Sequence, residues 1–354
     1  MPENFRPGFM ATGIGSLPHL DAKAAVDEVL KRLIEMPFWP QLPKLAPMED
    51  MNLQYARALA PLVKPVPESR GLLAFSGLDR ETALAGFYER LFSGDMGDFG
   101  LNSEEAAGMF AFVEKLQGLS ADQFPWVKGQ VTGPLTLGAA VFGLDGKALL
   151  YDDEIAEALA RGLGAAGAAQ VEQLAALGRK VLLFVDEPFL SGFGSAFTPI
   201  TREKVIALLG YTFEEIRSRC AALIGVHCCG NTDWSILVEA GADVLNLDSF
   251  GYGENLLLYP EAVEKLLARG GAVAWGAVPT SEYKGTETAA ELWAGLRGLL
   301  EGLEKKGIAR EALAGQSLVT PACGMGSMNE AQAIEILDLT RQVSDLARKE
   351  YMWV

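Results

Sequence analysis

Histidine is almost absent from the chain, with two in 354 residues, His19 and His227. Cysteine is nearly as scarce. Four in a chain of this length exclude a disulfide framework and lead us to expect a reducing, cytoplasmic setting. Basic residues are outnumbered, 30 Lys+Arg against 46 Asp+Glu, for a net charge of −16. With no Lys/Arg cluster, that balance argues against nucleic acid as a main partner and against an anionic membrane surface. No apolar run of about 18 residues escapes a charge or a breaker, so no membrane span is expected. The first residues, MPENFRPGFMATGIG, lack a basic region followed by an apolar core, so no secretory signal is expected. Long Pro/Ser linkers, low-complexity tracts and short repeats are also missing, which favours one large domain over residues 1–354.

What is present is 49% hydrophobic and 21% charged, the mix of a chain with a sizeable core. Short, near-continuous apolar runs recur: 11–18, 71–77, 126–134, 180–188, 223–229, 242–248, 271–278 and 317–324. Runs of that kind read as strands buried on both faces, as in parallel sheets. Amphipathic stretches lie between most of them: 21–35, 81–92, 152–177, 201–221, 259–269, 287–306 and 329–349. About eight strands alternating with helices give an α/β chain, expected as a single (β/α)8 TIM barrel. A doubly wound sheet is the alternative, but its usual G-x-G-x-x-G fingerprint is absent. The Pro-rich segment 37–70 reads as an insertion or loop over the barrel mouth, and 92–102 as a second, Gly-rich loop.

Polar and reactive residues gather where the strands end. They include Ser16, His19, Thr132, Asp186, Glu187, His227, Cys229, Asp248, Thr280 and Cys323. In a barrel those ends share one face, where loops build a site. His227 and Cys229 are two apart in a strand, so they point the same way and Cys228 points opposite. An imidazole and a thiolate on one side suit zinc. Cys323 is a candidate third ligand and Asp248 a fourth, with Glu254 competing for that place. The plainer alternative is that these cysteines are small buried hydrophobes, the reading adopted for Cys220 and Cys228. Asp186 and Glu187 close an apolar run. Carboxylates there either hold a substrate ammonium group or pair within the protein. Ser16 is placed to donate to a substrate carboxylate or to cap a turn, and His19 to relay a proton or to close its loop.

Six motifs then coincide in order: I-G-S-L-P, K-G-Q-V-T-G-P-L-T, V-D-E-P, H-x-C, A-D-V-L-N-L-D and T-P-A-C-G, spanning Ile14 to Gly324. The set resembles the catalytic barrel of cobalamin-independent methionine synthase. It is similar also to the wider superfamily of uroporphyrinogen decarboxylase and the zinc methyltransferases that use corrinoid proteins. The resemblance implies zinc on His227, Cys229 and Cys323, with Asp248 where the family has a Glu ligand. It implies that Ser16 and Asp186 hold an amino acid's carboxylate and ammonium groups, with Glu49 near the same substrate.

Two departures matter. Methionine synthases of this type have two barrels, and this chain has room for one. The family's histidine after the seventh strand is missing from W-G-A-V-P-T-S-E. Both turn the expected methyl donor from folate towards a methylcorrinoid, free or on a partner protein. The expectation is therefore a zinc-dependent thiol methyltransferase, with homocysteine as acceptor. The alternatives are another thiol such as coenzyme M, or a metal-binding barrel without activity. Asp186 favours an amino-acid thiol, because it would repel a sulfonate.

Overall fold

The computed structural model describes residues 5–66, 73–93, 95–195 and 198–351. Its strands are β1 (Met10–Ala11), β2 (Val63–Pro65), β3 (Leu73–Phe75), β4 (Trp126–Thr132), β5 (Lys180–Asp186), β6 (Leu223–Cys228), β7 (Val244–Leu247), β8 (Ala272–Val278) and β9 (Ser317–Pro321). The helices are α1 (Ala22–Arg32), α2 (Arg80–Ser93), α3 (Ala107–Gln117), α4 (Pro134–Ala140), α5 (Asp153–Ala175), α6 (Arg202–Arg219), α7 (Trp234–Ala240), α8 (Ser249–Leu256), α9 (Pro260–Ala268), α10 (Ala289–Glu304), α11 (Arg310–Gly315) and α12 (Glu330–Tyr351). No helix among the described residues is long and apolar enough to cross a membrane.

Seven strands form one parallel sheet in the order β1-β9-β8-β7-β6-β5-β4. Each strand feeds two apolar layers, as the continuous runs require. On β5, Val181, Leu183 and Val185 pack outward with the helices. Leu182 and Phe184 turn to the other side, where they meet Ile14, Met36, Trp126, Leu223, Val244, Ala274 and Leu318. That second cluster draws residues from strands along the whole sheet, so the sheet curls around it. At the strands' C-terminal ends the same inner side carries polar residues instead.

The run 71–77 does not join this sheet. Its described part forms β3, which pairs antiparallel with β2 in a two-stranded hairpin. Residues 71 and 72 lie outside the described residues. The segment 37–70 also differs in part from the expected loop. Pro37 O accepts from Lys128 N at 2.9 Å, and Trp39 N donates to Lys128 O at 3.3 Å. Gln41 N donates to Gly15 O at 3.0 Å, and Gln41 O accepts from Leu17 N at 2.8 Å. Residues 37–41 therefore bond both to β4 and to the stretch that follows β1. The prolines hid this. Trp39 and Gln41 supply the donors, while Pro37 and Pro40 sit where no N–H is used. Beyond residue 41, Pro43, Lys44, Asp50 and Met51 border the cavity at the strand ends. Residues 67–70 lie outside the described residues.

Candidate metal centre and ligand pocket

Asp186, His227, Cys229 and Cys323 line one cavity of about 450 Å³ at the C-terminal ends of the strands. Ser16, Lys44, Asp50, Met51 and Ser327 complete much of its wall. His227 ends the inward face of β6, and Cys229 follows two residues later. Cys323 comes from the loop after β9. One ligand atom from each of these three lies within 4.8 Å of the other two.

The imidazole of His227 is held in one tautomer. Asn246, on neighbouring β7, donates through Nδ2 to Ala274 O and Thr320 Oγ1, both at 2.9 Å. With its NH2 group so engaged, its Oδ1 faces His227 Nδ1 at 2.5 Å and must accept. Nδ1 therefore keeps its proton, and Nε2 is the nitrogen left to meet a metal or, without one, a second proton. Nε2 is buried and makes no well-aligned hydrogen bond. A buried ring nitrogen with no well-aligned partner beside two thiols is what a metal ligand presents, and the Asn246 contact is the outer support such ligands need.

The thiols differ sharply. Hydrogen bonds from Cys323, and then from His227, outweigh burial and hold the Cys229 thiol down at about 4. Cys323 moves up, because it keeps its proton to donate to the Cys229 thiolate, and burial adds to the effect. His227 loses by burial but gains more from Cys229 and Asp186, so it sits above its ordinary value. Cys228 points away, is buried, donates to Gly230 O at 3.7 Å and is pushed up to about 12 by burial. Cys220 ends α6 and donates to Ile216 O at 3.4 Å, with burial lifting it to about 11. Both cysteines lie outside the three-residue cluster, as the sequence suggested.

Asp186 pairs with His227 across the β5–β6 register. Its Oδ1 is buried without a hydrogen-bond partner. Burial raises its carboxyl to about 6, against the opposing pull of His227 and Lys128. A buried carboxylate oxygen without a donor is costly, and the side chain that carries it lines the cavity.

No family model matches this chain. No curated protein matches it either. Among solved structures, a B12-independent methionine synthase from Shewanella sp. W3-18-1, in complex with selenomethionine, is similar at a TM-score of 0.49 and 20% identity. The likeness covers 69% of this chain and 68% of that one.

Several expected site residues go elsewhere. Asp248 stays outside the three-residue cluster. It is the N-cap of α8, where Oδ1 accepts from Gly251 N at 2.7 Å, a local role that competes with metal ligation. Glu254 is exposed on α8 and lines a different groove, against α10. Glu187, the first residue after β5, is turned towards α4 instead of the cavity. Its carboxylate accepts from Leu135 N at 2.9 Å, Thr136 N at 2.8 Å and Thr136 Oγ1 at 2.6 Å, capping α4. Glu49 is likewise buried, accepting from Leu42 N at 2.9 Å and Ala107 N at 2.7 Å. It ties the covering loop to the start of α3, while its neighbour Asp50 lines the cavity. His19 is buried with Nδ1 unpartnered and is not among the residues lining the cavity.

Ser16 does line the cavity, and its Oγ accepts from Gly326 N at 3.2 Å. Sequence reasoning missed Asn246, Asp50 and Lys128. A signal existed for two of them. Asn246 and Lys128 are polar side chains inside otherwise apolar strand runs, in register with the face that carries the site.

Proposed function

We propose that this chain is a zinc-dependent methyltransferase that passes a methyl group to the sulfur of homocysteine. The observation that carries the reading is one cavity holding both the His227–Cys229–Cys323 cluster and the unpartnered carboxylate oxygen of Asp186. The donor set fits zinc: an imidazole with Nε2 left for a metal and two cysteines, with no fourth of the described residues drawn into the cluster. When bound, zinc supplies Lewis acidity that keeps a thiol as its thiolate near neutral pH.

The chain's own residues account for the rest. Cys229 and Cys323 place negative charge against the metal, which keeps an incoming sulfur electron-rich. Asn246 fixes the His227 ring. Asp186 takes the ammonium group of the amino acid, and the Ser16 edge takes its carboxylate, which together aim the thiol at the cluster. Asp248 is not needed as a ligand in this scheme. His19 has no role in it.

For the methyl donor we favour a methylcorrinoid, because the stretch after β8 carries no histidine. We read the fold as one (β/α)8 domain in which residues 37–41 stand as an irregular eighth strand.

Metal analysis of protein purified without chelator tests the centre directly. We expect about one zinc per chain in the wild type, lost in Cys323→Ala. Methyl transfer to homocysteine from methylcobalamin, set beside methyltetrahydrofolate, tests the donor. A wild type that neither carries nor takes up zinc removes the proposed mechanism.

A further inference from the structure

Lys128 lies on β4 with its side chain fully buried, on the inner side of the sheet. Its Nζ donates to Ile14 O and, at 3.2 Å, to Gln130 Oε1. The ammonium also sits 4.5 Å from the centroid of the Phe184 ring. No carboxylate of the described residues is within ion-pair distance. Burial holds its ammonium down at about 7, and the charge that opposes this is the Asp186 carboxylate, beyond ion-pair distance. A buried cation whose hydrogen-bond acceptors are all neutral is costly, and an apolar side chain of similar volume would spare the fold that cost.

The place of this charge points to its use. Ile14, whose carbonyl takes this ammonium, and Gly15 line the cavity. Ile14 C=O and Gly15 N–H belong to one peptide group, and in a trans peptide these two bonds point in opposite directions. With the carbonyl turned down to the ammonium, the Gly15 N–H is turned away from it. Neither the Gly15 nor the Ser16 N–H has an acceptor among the described residues. An ammonium on the carbonyl also polarises that peptide, which makes its N–H a stronger donor. Gly15 is pressed onto the same network: a Cβ there would meet the Gln130 side chain at 2.7 Å.

We propose that Lys128 is the buried counter-charge of an anion-binding edge made by the Gly15 and Ser16 N–H groups, and so a positioning residue for the ligand's carboxylate. The proposal rests on the reading that this cavity takes an amino-acid thiol.

The test compares three ligands on zinc-loaded protein by calorimetry: homocysteine, 3-aminopropane-1-thiol, which lacks the carboxylate, and 2-aminobutyrate, which lacks the thiol. In Lys128→Met we expect homocysteine and 2-aminobutyrate to weaken at least tenfold, while the aminothiol and the zinc content stay unchanged. Equal weakening of all three ligands, or of none, overturns the proposal. A wild type that binds 2-aminobutyrate but neither thiol overturns the thiol reading and leaves the Lys128 proposal to the 2-aminobutyrate comparison. A wild type that binds none of the three overturns both. Should Lys128→Met fail to fold, the wild type still decides. On titration with 2-aminobutyrate, the amide proton of Gly15 must shift downfield in NMR spectra, and a stationary Gly15 signal overturns the proposal.

Discussion

At the scale of single residues, three cysteines with different surroundings should behave as three different reagents. Cys229, held down near 4, is a thiolate throughout the neutral range, whereas Cys228 and Cys220 are thiols until about 12 and about 11. In metal-free protein, alkylation by iodoacetamide should therefore go first to Cys229. Its rate should stay flat from about pH 6 to 8, where an ordinary thiol slows about tenfold per unit as the pH falls. Peptide mass spectrometry across that range checks both the order and the slope. Asn246 makes a second case. Its replacement by Leu removes the acceptor that keeps His227 in the ligating tautomer, and zinc affinity should fall by about 10–100-fold with the fold intact. Competition with a chelating dye measures that loss. His227, Cys229 and Cys323 were legible from alternation and strand ends, because a strand's two-residue period is a strict geometric rule. Glu187 and Glu49 were not, since a backbone N–H several residues away competes for a carboxylate as effectively as a ligand does, and sequence does not record where that N–H points.

Elements show the same contrast between pattern and competition. The strands β4 to β9 fall inside the apolar runs that announced them, and α5, α6, α10 and α12 fall within two residues of their amphipathic stretches. The helices α7 and α8 are too short to show a period and passed unnoticed. Residues 37–41 were hidden by prolines whose missing N–H groups the hydrogen-bond ladder does not need. The short helix α4 depends on its carboxylate cap, and Gly133 exists to admit it: a Cβ at Gly133 would lie 2.1 Å from Glu187 Cδ. Glu187→Ala strands two backbone donors and a hydroxyl, so we expect it to cost about 2–4 kcal/mol in urea unfolding. Gly133→Ala should destabilise by a similar amount, since the cap must be displaced to make room. Zinc content should survive both changes, because neither side chain belongs to the cavity. Loss of zinc in folded Glu187→Ala would return that residue to the site.

For the whole molecule, the cluster ties β6 to the loop after β9, two places far apart along the sheet and in the chain. Metal bound there stabilises only the folded state. Zinc at 100 times its dissociation constant should add about 2.7 kcal/mol and raise the melting temperature by several degrees. Cys323→Ala should melt at the same temperature with or without zinc, and differential scanning calorimetry reads the difference. The sheet's topology sets a further condition. Met10 pairs with Leu318, and Ala11 with Val319, so the first strand finds its neighbour only in the last. During synthesis, β1 must wait unpaired on that side until β9 is made, and His227 and Cys229 emerge well before Cys323 does. Loops that long close slowly, and an exposed parallel edge is prone to wrong pairing while it waits. A ribosome-bound chain stopped short of β9 would therefore present an incomplete metal site and an open edge, and a cell would have reason to shield both until β9 and Cys323 are made.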